Sequence, residues 1–202
     1  MLQLLELLAV LSSALFGVLL ARSKQMDWVG VCSVAFIVAF GGGTLRDVLL
    51  DRRPLFWIEN DHYAWIVLGL SFVGSILPRM PRNVDRMLNL PDALGLGFFS
   101  VVGTGIAQQQ LEGSLLIASL FGVMTGTFGG VLGDIVSNEV PSLFRPTTPL
   151  YAVCSFSGCW VYLGLDAAGA AEAVSLWSGV VVIVVMRWIA LRWDIRLPAT
   201  KS

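Results

Sequence analysis

Charge is scarce in this sequence: Asp, Glu, Lys and Arg together make up 13% of its 202 residues, about half the share of an ordinary soluble domain. The 13 basic and 14 acidic residues nearly cancel, leaving a formal net charge of -1, which excludes a nucleic-acid binder driven by net charge. Histidine occurs once, as His62, and cysteine three times. Cys32, Cys154 and Cys159 are odd in number and lie inside apolar runs, so they indicate neither a disulfide framework nor a metal site and read as small buried hydrophobes. His62, beside Asp61 between two such runs, reads as a solvated loop residue. No Walker loop and no nucleophile elbow occurs, and the sequence predicts no catalytic residue, no metal and no cofactor.

Apolar residues dominate instead, at 56% of the chain with a mean hydropathy of +0.78. That composition excludes a typical soluble globule and a disordered chain. The apolar residues come in long continuous runs and not in strict alternation, which argues against a membrane β-barrel. At about 20 residues per helical crossing, the runs predict an all-α membrane protein with seven transmembrane helices near 2–21, 28–50, 63–79, 92–109, 114–136, 149–165 and 174–193. Residues 1–21 carry Glu6 and lack a positive leading region, so they read as a retained first helix and not a signal peptide.

Seven crossings put the termini on opposite faces, and the basic residues sort unequally between those faces. Arg22, Lys24, Arg79, Arg82, Arg86, Arg145, Arg192, Arg196 and Lys201 fall on one side, and only Arg52 and Arg53 on the other. Basic residues accumulate on cytoplasmic loops, which predicts an outward N-terminus and a cytoplasmic C-terminus. Arg79, Arg82 and Arg86 could also attract anionic membrane lipid. Trp28, Trp57, Trp65, Trp177, Trp188 and Trp193 fall near predicted helix ends, as interfacial belts require.

The chain also repeats. A shift of 87 residues superimposes Phe40–Trp57 on Thr127–Phe144 with five identities in eighteen positions: Gly42 on Gly129, Gly43 on Gly130, Leu45 on Leu132, Asp47 on Asp134 and Pro54 on Pro141. A shift of 86 sets Glu6 on Asp92 and Gly17 on Gly103. The sequence therefore divides into a three-helix unit at 1–87, a second at 88–168, and a seventh helix with its tail at 169–202. Because three is odd, the second unit enters the membrane from the opposite face, which predicts inverted-topology repeats.

Gly41, Gly42 and Gly43 lie well inside the second span, and Gly126, Gly129, Gly130 and Gly133 occupy the equivalent stretch of the fifth. Each glycine costs about 1 kcal/mol against alanine in a helix interior, so both helices are expected to weaken or break there. Paired breaks in inverted repeats point to a permeation or substrate site near the midplane. Close packing accounts for the same small residues, since Ala35, Ala39 and Gly43, like Gly122, Gly126 and Gly130, recur at i, i+4. The two readings are compatible.

Asp47 continues the first of these stripes and Asp134 the second. Ionisable groups within spans face protein or water, and inversion would set one carboxylate near each mouth of a path. Arg46 has no counterpart, because Gly133 occupies its aligned position.

Phe40-Gly-Gly-Gly-Thr-Leu-Arg-Asp-Val-Leu-Leu50 with Pro54-Leu-Phe-Trp57, and Gly126-Thr-Phe-Gly-Gly-Val-Leu-Gly-Asp134 with Asn138-Glu-Val-Pro141, resemble the doubled motif of the bacterial TRIC-like family. These are homologues of the trimeric intracellular cation channels and are also known by a glycine transporter domain. The resemblance runs to about residue 193. It implies the three-plus-three-plus-one plan, kinked second and fifth helices lining a pore in each protomer of a homotrimer, and a bacterial inner-membrane location. Conduction of potassium and other monovalent cations is what the channel branch implies, and import of glycine or a similarly small amino acid by a secondary carrier is the alternative. The candidate path residues are Gly41, Gly42, Gly43, Thr44, Arg46, Asp47, Thr127, Gly129, Gly130 and Asp134, with Ala35, Ala39, Gly122 and Gly126 as packing residues. Gly133 departs from the resemblance, which leads one to expect a second arginine there. A scaffold with no path is the third reading.

Overall fold

The computed structural model describes residues 1–77, 84–111 and 113–198, without the side chains of 84–86. In chain order the helices are α1 (Leu2–Ser23), α2 (Trp28–Leu49), α3 (Phe56–Glu59), α4 (His62–Ile76), α5 (Val84–Gln110), α6 (Leu115–Val136), α7 (Ala152–Ala167) and α8 (Glu172–Trp193). Each of the seven apolar runs is thus a helix, and α3 is a single turn in a loop. Among the described residues five helices, α1, α2, α5, α6 and α8, are long and apolar enough to cross a membrane, while α4 and α7 are apolar but shorter, at 15 and 16 residues. The helix expected at 92–109 begins earlier, at Val84, and passes through Pro91. The polar residues before Pro91 hide that extension from a reading based on apolar runs. Arg79, Arg82 and Lys201 lie outside the described residues.

Side chains delimit α2 and α6 in the same way. The Asp27 carboxylate accepts from Gly30 N at 2.8 Å to start α2, and the Ser114 hydroxyl accepts from Ile117 N at 3.3 Å to start α6, each satisfying an N–H that the first turn leaves free. After each helix a residue with positive φ turns the chain, Asp51 at 51° and Asn138 at 57°, and Asp and Asn are the side chains that tolerate this region best. The next residue then bonds back, Arg52 N to Asp47 O at 2.8 Å and Glu139 N to Asp134 O at 2.9 Å.

α1 packs on α2, α4 and α5; α5 packs on α1, α6, α7 and α8; and α2 crosses α6. The breaks expected at the glycines do not occur, because the helix runs continuously through Gly41–Gly43 and through Gly126–Gly133. The glycines instead let backbones touch. A β-carbon at Gly42 would overlap the Thr125 carbonyl, one at Gly129 the Val38 carbonyl, and one at Gly126 would sit 2.9 Å from Leu96 O. Close packing against a neighbouring helix offsets the low helix propensity of glycine. Ala35 and Ala39 are fully buried on the same face of α2, and Gly17 approaches Ala35 so closely that a β-carbon would lie 2.7 Å from its Cα.

Candidate functional site

Two clusters of charged and aromatic side chains occupy opposite ends of the bundle. At the end that carries Arg52, the Arg46 guanidinium is fully buried. Its Nε donates to Asp47 Oδ1 at 2.8 Å, its Nη2 lies 3.5 Å from Glu6 Oε1, and its Cζ stands 5.3 Å from the centre of the Phe56 ring. Asp47 Oδ2 accepts from the Phe56 N–H at 2.8 Å, which fastens the loop after α2 beneath the helix end. A buried charge pair repays its desolvation only when its remaining donors and acceptors are used; here α1, α2 and α3 contribute to using them, while Arg46 Nη1 is left buried without a partner among the described residues. Tyr63, at the start of α4, is buried nearby. This end is closed.

The other end, which carries Lys24, is built differently. Tyr151, just before α7, donates its hydroxyl to Asp92 Oδ1 at 2.7 Å. Arg187 of α8 donates from Nη2 to Asp92 Oδ2 at 3.1 Å and from Nη1 to the carbonyls of Pro149 and Leu150 at 3.1 and 2.9 Å. Its Cζ stands 4.5 Å from the centre of the Tyr151 ring. Asp134 Oδ2 accepts from Ser142 N at 2.7 Å, as Asp47 does from Phe56.

A cavity of about 360 Å³ opens at this end, lined by Asp92, Thr127, Gly130, Asp134, Tyr151 and Arg187, with Lys24, Glu139 and Arg145 toward the loops. A separate void of about 10 Å³ shares Asp92, Gly130 and Tyr151 with it and is also lined by Val38, Thr125 and Gly129, where α2 crosses α6. Across the cavity's rim Lys24 pairs with Glu139, which also pairs with Arg145 at 2.9 Å. The hydrogen bond from Lys24 and its charge, with Arg145 adding to them, hold the Glu139 carboxyl below the usual carboxylate range.

The candidate path residues therefore separate. Thr127, Gly130 and Asp134 line the cavity, and Gly129 lines the void. Arg46 and Asp47 are sealed within the closed cluster, and the Thr44 hydroxyl accepts from Trp57 Nε1 at 3.0 Å. Gly42 and Gly129 form the α2–α6 contact, Gly41 faces Leu132, and Gly43 faces the Phe56 ring. The packing residues Gly122 and Gly126 meet Ser100 and Thr104 of α5. Thr104, Thr125 and Thr127 each bond a carbonyl four residues back in their own helix, the usual choice of a threonine within a helix.

Sequence reasoning misses Arg187, Tyr63 and Tyr151 as members of these clusters. The signal that could have found one of them is Arg187 itself, a lone charge preceded by an apolar run in α8, since an ionisable residue within a span marks a functional site by default.

The model of a family described as Glycine transporter matches residues 3–79 and again 89–167. The UPF0126 membrane protein of Vibrio cholerae is 34% identical over 200 residues, covering 98% of this chain and 82% of its own. The UPF0126 inner membrane protein YadS of Escherichia coli is 34% identical over 198 residues, covering 96% of this chain and 93% of its own. In three dimensions the chain is similar to the TRIC trimeric intracellular cation channel orthologue from Rhodobacter sphaeroides, with a TM-score of 0.86, 32% identity and coverage of 96% of this chain and 98% of that one. It is similar again to a TRIC cation channel whose structure addresses conductance, with a TM-score of 0.86, 28% identity and coverage of 99% and 97%.

Proposed function

The chain belongs to the glycine transporter family and is a homologue of the prokaryotic TRIC channels, and from that premise we propose that it conducts monovalent cations, potassium among them, across a bacterial inner membrane. The path runs through each protomer of a homotrimer, from the cavity at the Lys24 end toward the α2–α6 crossing and past it to the Arg46 cluster. Seven helices cross the membrane as inverted repeats at 1–87 and 88–168 followed by a seventh helix at 169–202. The N-terminus lies outside and the Lys24 end faces the cytoplasm.

The cavity carries this reading. It combines a buried carboxylate, Asp134, with Thr127 and the small Gly130, and its Asp92, Gly130 and Tyr151 also line the small void beside the α2–α6 crossing. Rings of acidic groups favour cations in channels. The repeat is supported by the family match on both halves and by the equivalent capping of α2 and α6. The inner-membrane location is supported by the Escherichia coli relative. Gly42 and Gly129 are filled by facing carbonyls, so neither leaves a hollow shaped for a glycine molecule.

Purified protein in proteoliposomes loaded with potassium tests the proposal. Potassium should leave down its gradient without glycine present, at a rate that does not saturate. Saturable glycine uptake with no potassium exit would overturn the channel in favour of the carrier.

A further inference from the structure

Gly133 occupies the position at which the second unit lacks the arginine of the first, and a guanidinium nevertheless reaches the corresponding acid. At the closed end Arg46 of α2 meets Glu6 of α1; at the cavity end Arg187 of α8 meets Asp92 of α5, 86 positions on from Glu6. Each guanidinium lies over an aromatic ring, Phe56 at 5.3 Å and Tyr151 at 4.5 Å, and the Arg187 side chain is 4% exposed. We propose that Arg187 supplies from α8 the positive charge that Gly133 withholds, and that this relocation sets the charge of the cavity through which cations pass.

The consequence lies in which carboxylate is neutralised. Arg46 pairs directly with Asp47, its neighbour in sequence. An arginine at 133 would stand beside Asp134 in the same way. Arg187 pairs with Asp92 instead, while Asp134 receives a backbone N–H from Ser142. Lys24 and Arg145 in the same lining pair with Glu139, so Asp134 keeps a carboxylate charge in the cavity wall with no salt-bridge partner beside it among the described residues, and such a charge raises the local concentration of cations. Arg187 acts through this balance and not by contact with the permeant, and the inference rests on the cation path proposed above.

Single-channel potassium currents of the full-length protein, recorded at about 0.05 M and about 1 M KCl, test the charge. With Arg187→Gln both Asp92 and Asp134 are unneutralised, and conductance at low salt should rise about two-fold. At 1 M, where the screening length is about 3 Å, it should match the parent. Arg187→Lys should behave as the parent at both concentrations. An unchanged low-salt conductance in R187Q, or R187K behaving as R187Q, would overturn the proposal. A second measurement needs no current: Gly133→Arg is introduced into the parent and into R187Q, and Tm is read in detergent. The substitution should be more favourable in R187Q by about 2 °C or more, whatever its steric cost against Val38. Equal effects in both backgrounds would overturn the substitution of one arginine by the other. A parent protein that passes no potassium would sink the channel reading alone, and this thermal cycle would still decide the exchange.

Discussion

Gly42 of α2 lies against the carbonyl oxygen of Thr125 on α6, leaving no room between them for a β-carbon. Gly129, 87 positions beyond Gly42, lies in the same way against the carbonyl of Val38, 87 positions before Thr125. The contact is thus reciprocal, glycine to carbonyl in both directions. Gly42→Ala and Gly129→Ala should each destabilise the protein by about 1–3 kcal/mol, the usual cost of overpacking, despite the higher helix propensity of alanine. Thermal unfolding in detergent measures this, and a neutral or stabilising effect of both would remove the crossing as a close backbone contact.

Asp47 and Asp134 should respond differently to loss of charge. Asp47→Asn leaves Arg46 buried without its closest partner and should cost about 3–5 kcal/mol of stability, read as a fall in Tm. Equal stability of the variant and the parent would show that the Arg46 cluster does not hold the closed end together.

Asp134→Asn keeps an acceptor for the Ser142 N–H but removes charge from the cavity wall. Its low-salt potassium conductance should fall severalfold while its Tm stays near that of the parent. Bilayer recordings at two salt concentrations distinguish this from a general loss of folded protein, and unchanged currents would take Asp134 out of the path.

The Lys24, Glu139 and Arg145 triad should give an acid-dependent contribution to stability. The folded-state pKa of Glu139 is lowered, so its contribution is present above the ordinary value of 4.5 and is lost as pH falls through the lower folded value. Tm measured from pH 7 down to about pH 3 should show this loss in the parent, and Glu139→Gln should lack that part of it. Because the three groups are partly exposed, salt should weaken the same contribution.

Local chemistry made much of this molecule legible. Continuous apolar runs locate seven helices because burial in lipid requires both the length and the composition, and the boundaries at Trp28, Leu115 and Trp193 lie within two residues of the expected ones. The 87-residue shift finds Asp47 and Asp134 because both perform the same local task, holding the loop that follows their helix. The glycines mislead, since propensity alone assigns them a break and only the facing carbonyls of Val38 and Thr125 explain why none occurs. The partners of Glu6 and Asp92 are hidden for a similar reason. Arg46 and Arg187 reach them from 40 and 95 residues away, and no periodicity within a helix encodes such a meeting.

Those two separations also set an order of completion as the chain emerges during synthesis. Glu6, Arg46, Asp47 and Tyr63 are all present once the first 63 residues exist, so the closed end can form while most of the protein is still unmade. Asp92 and Tyr151 must wait for Arg187 in α8. Until then Asp92 lacks the guanidinium that pairs with it in the finished protein. α8 is therefore the element on which the cavity end depends to reach its finished form, and a chain truncated before Arg187 would leave that end incomplete.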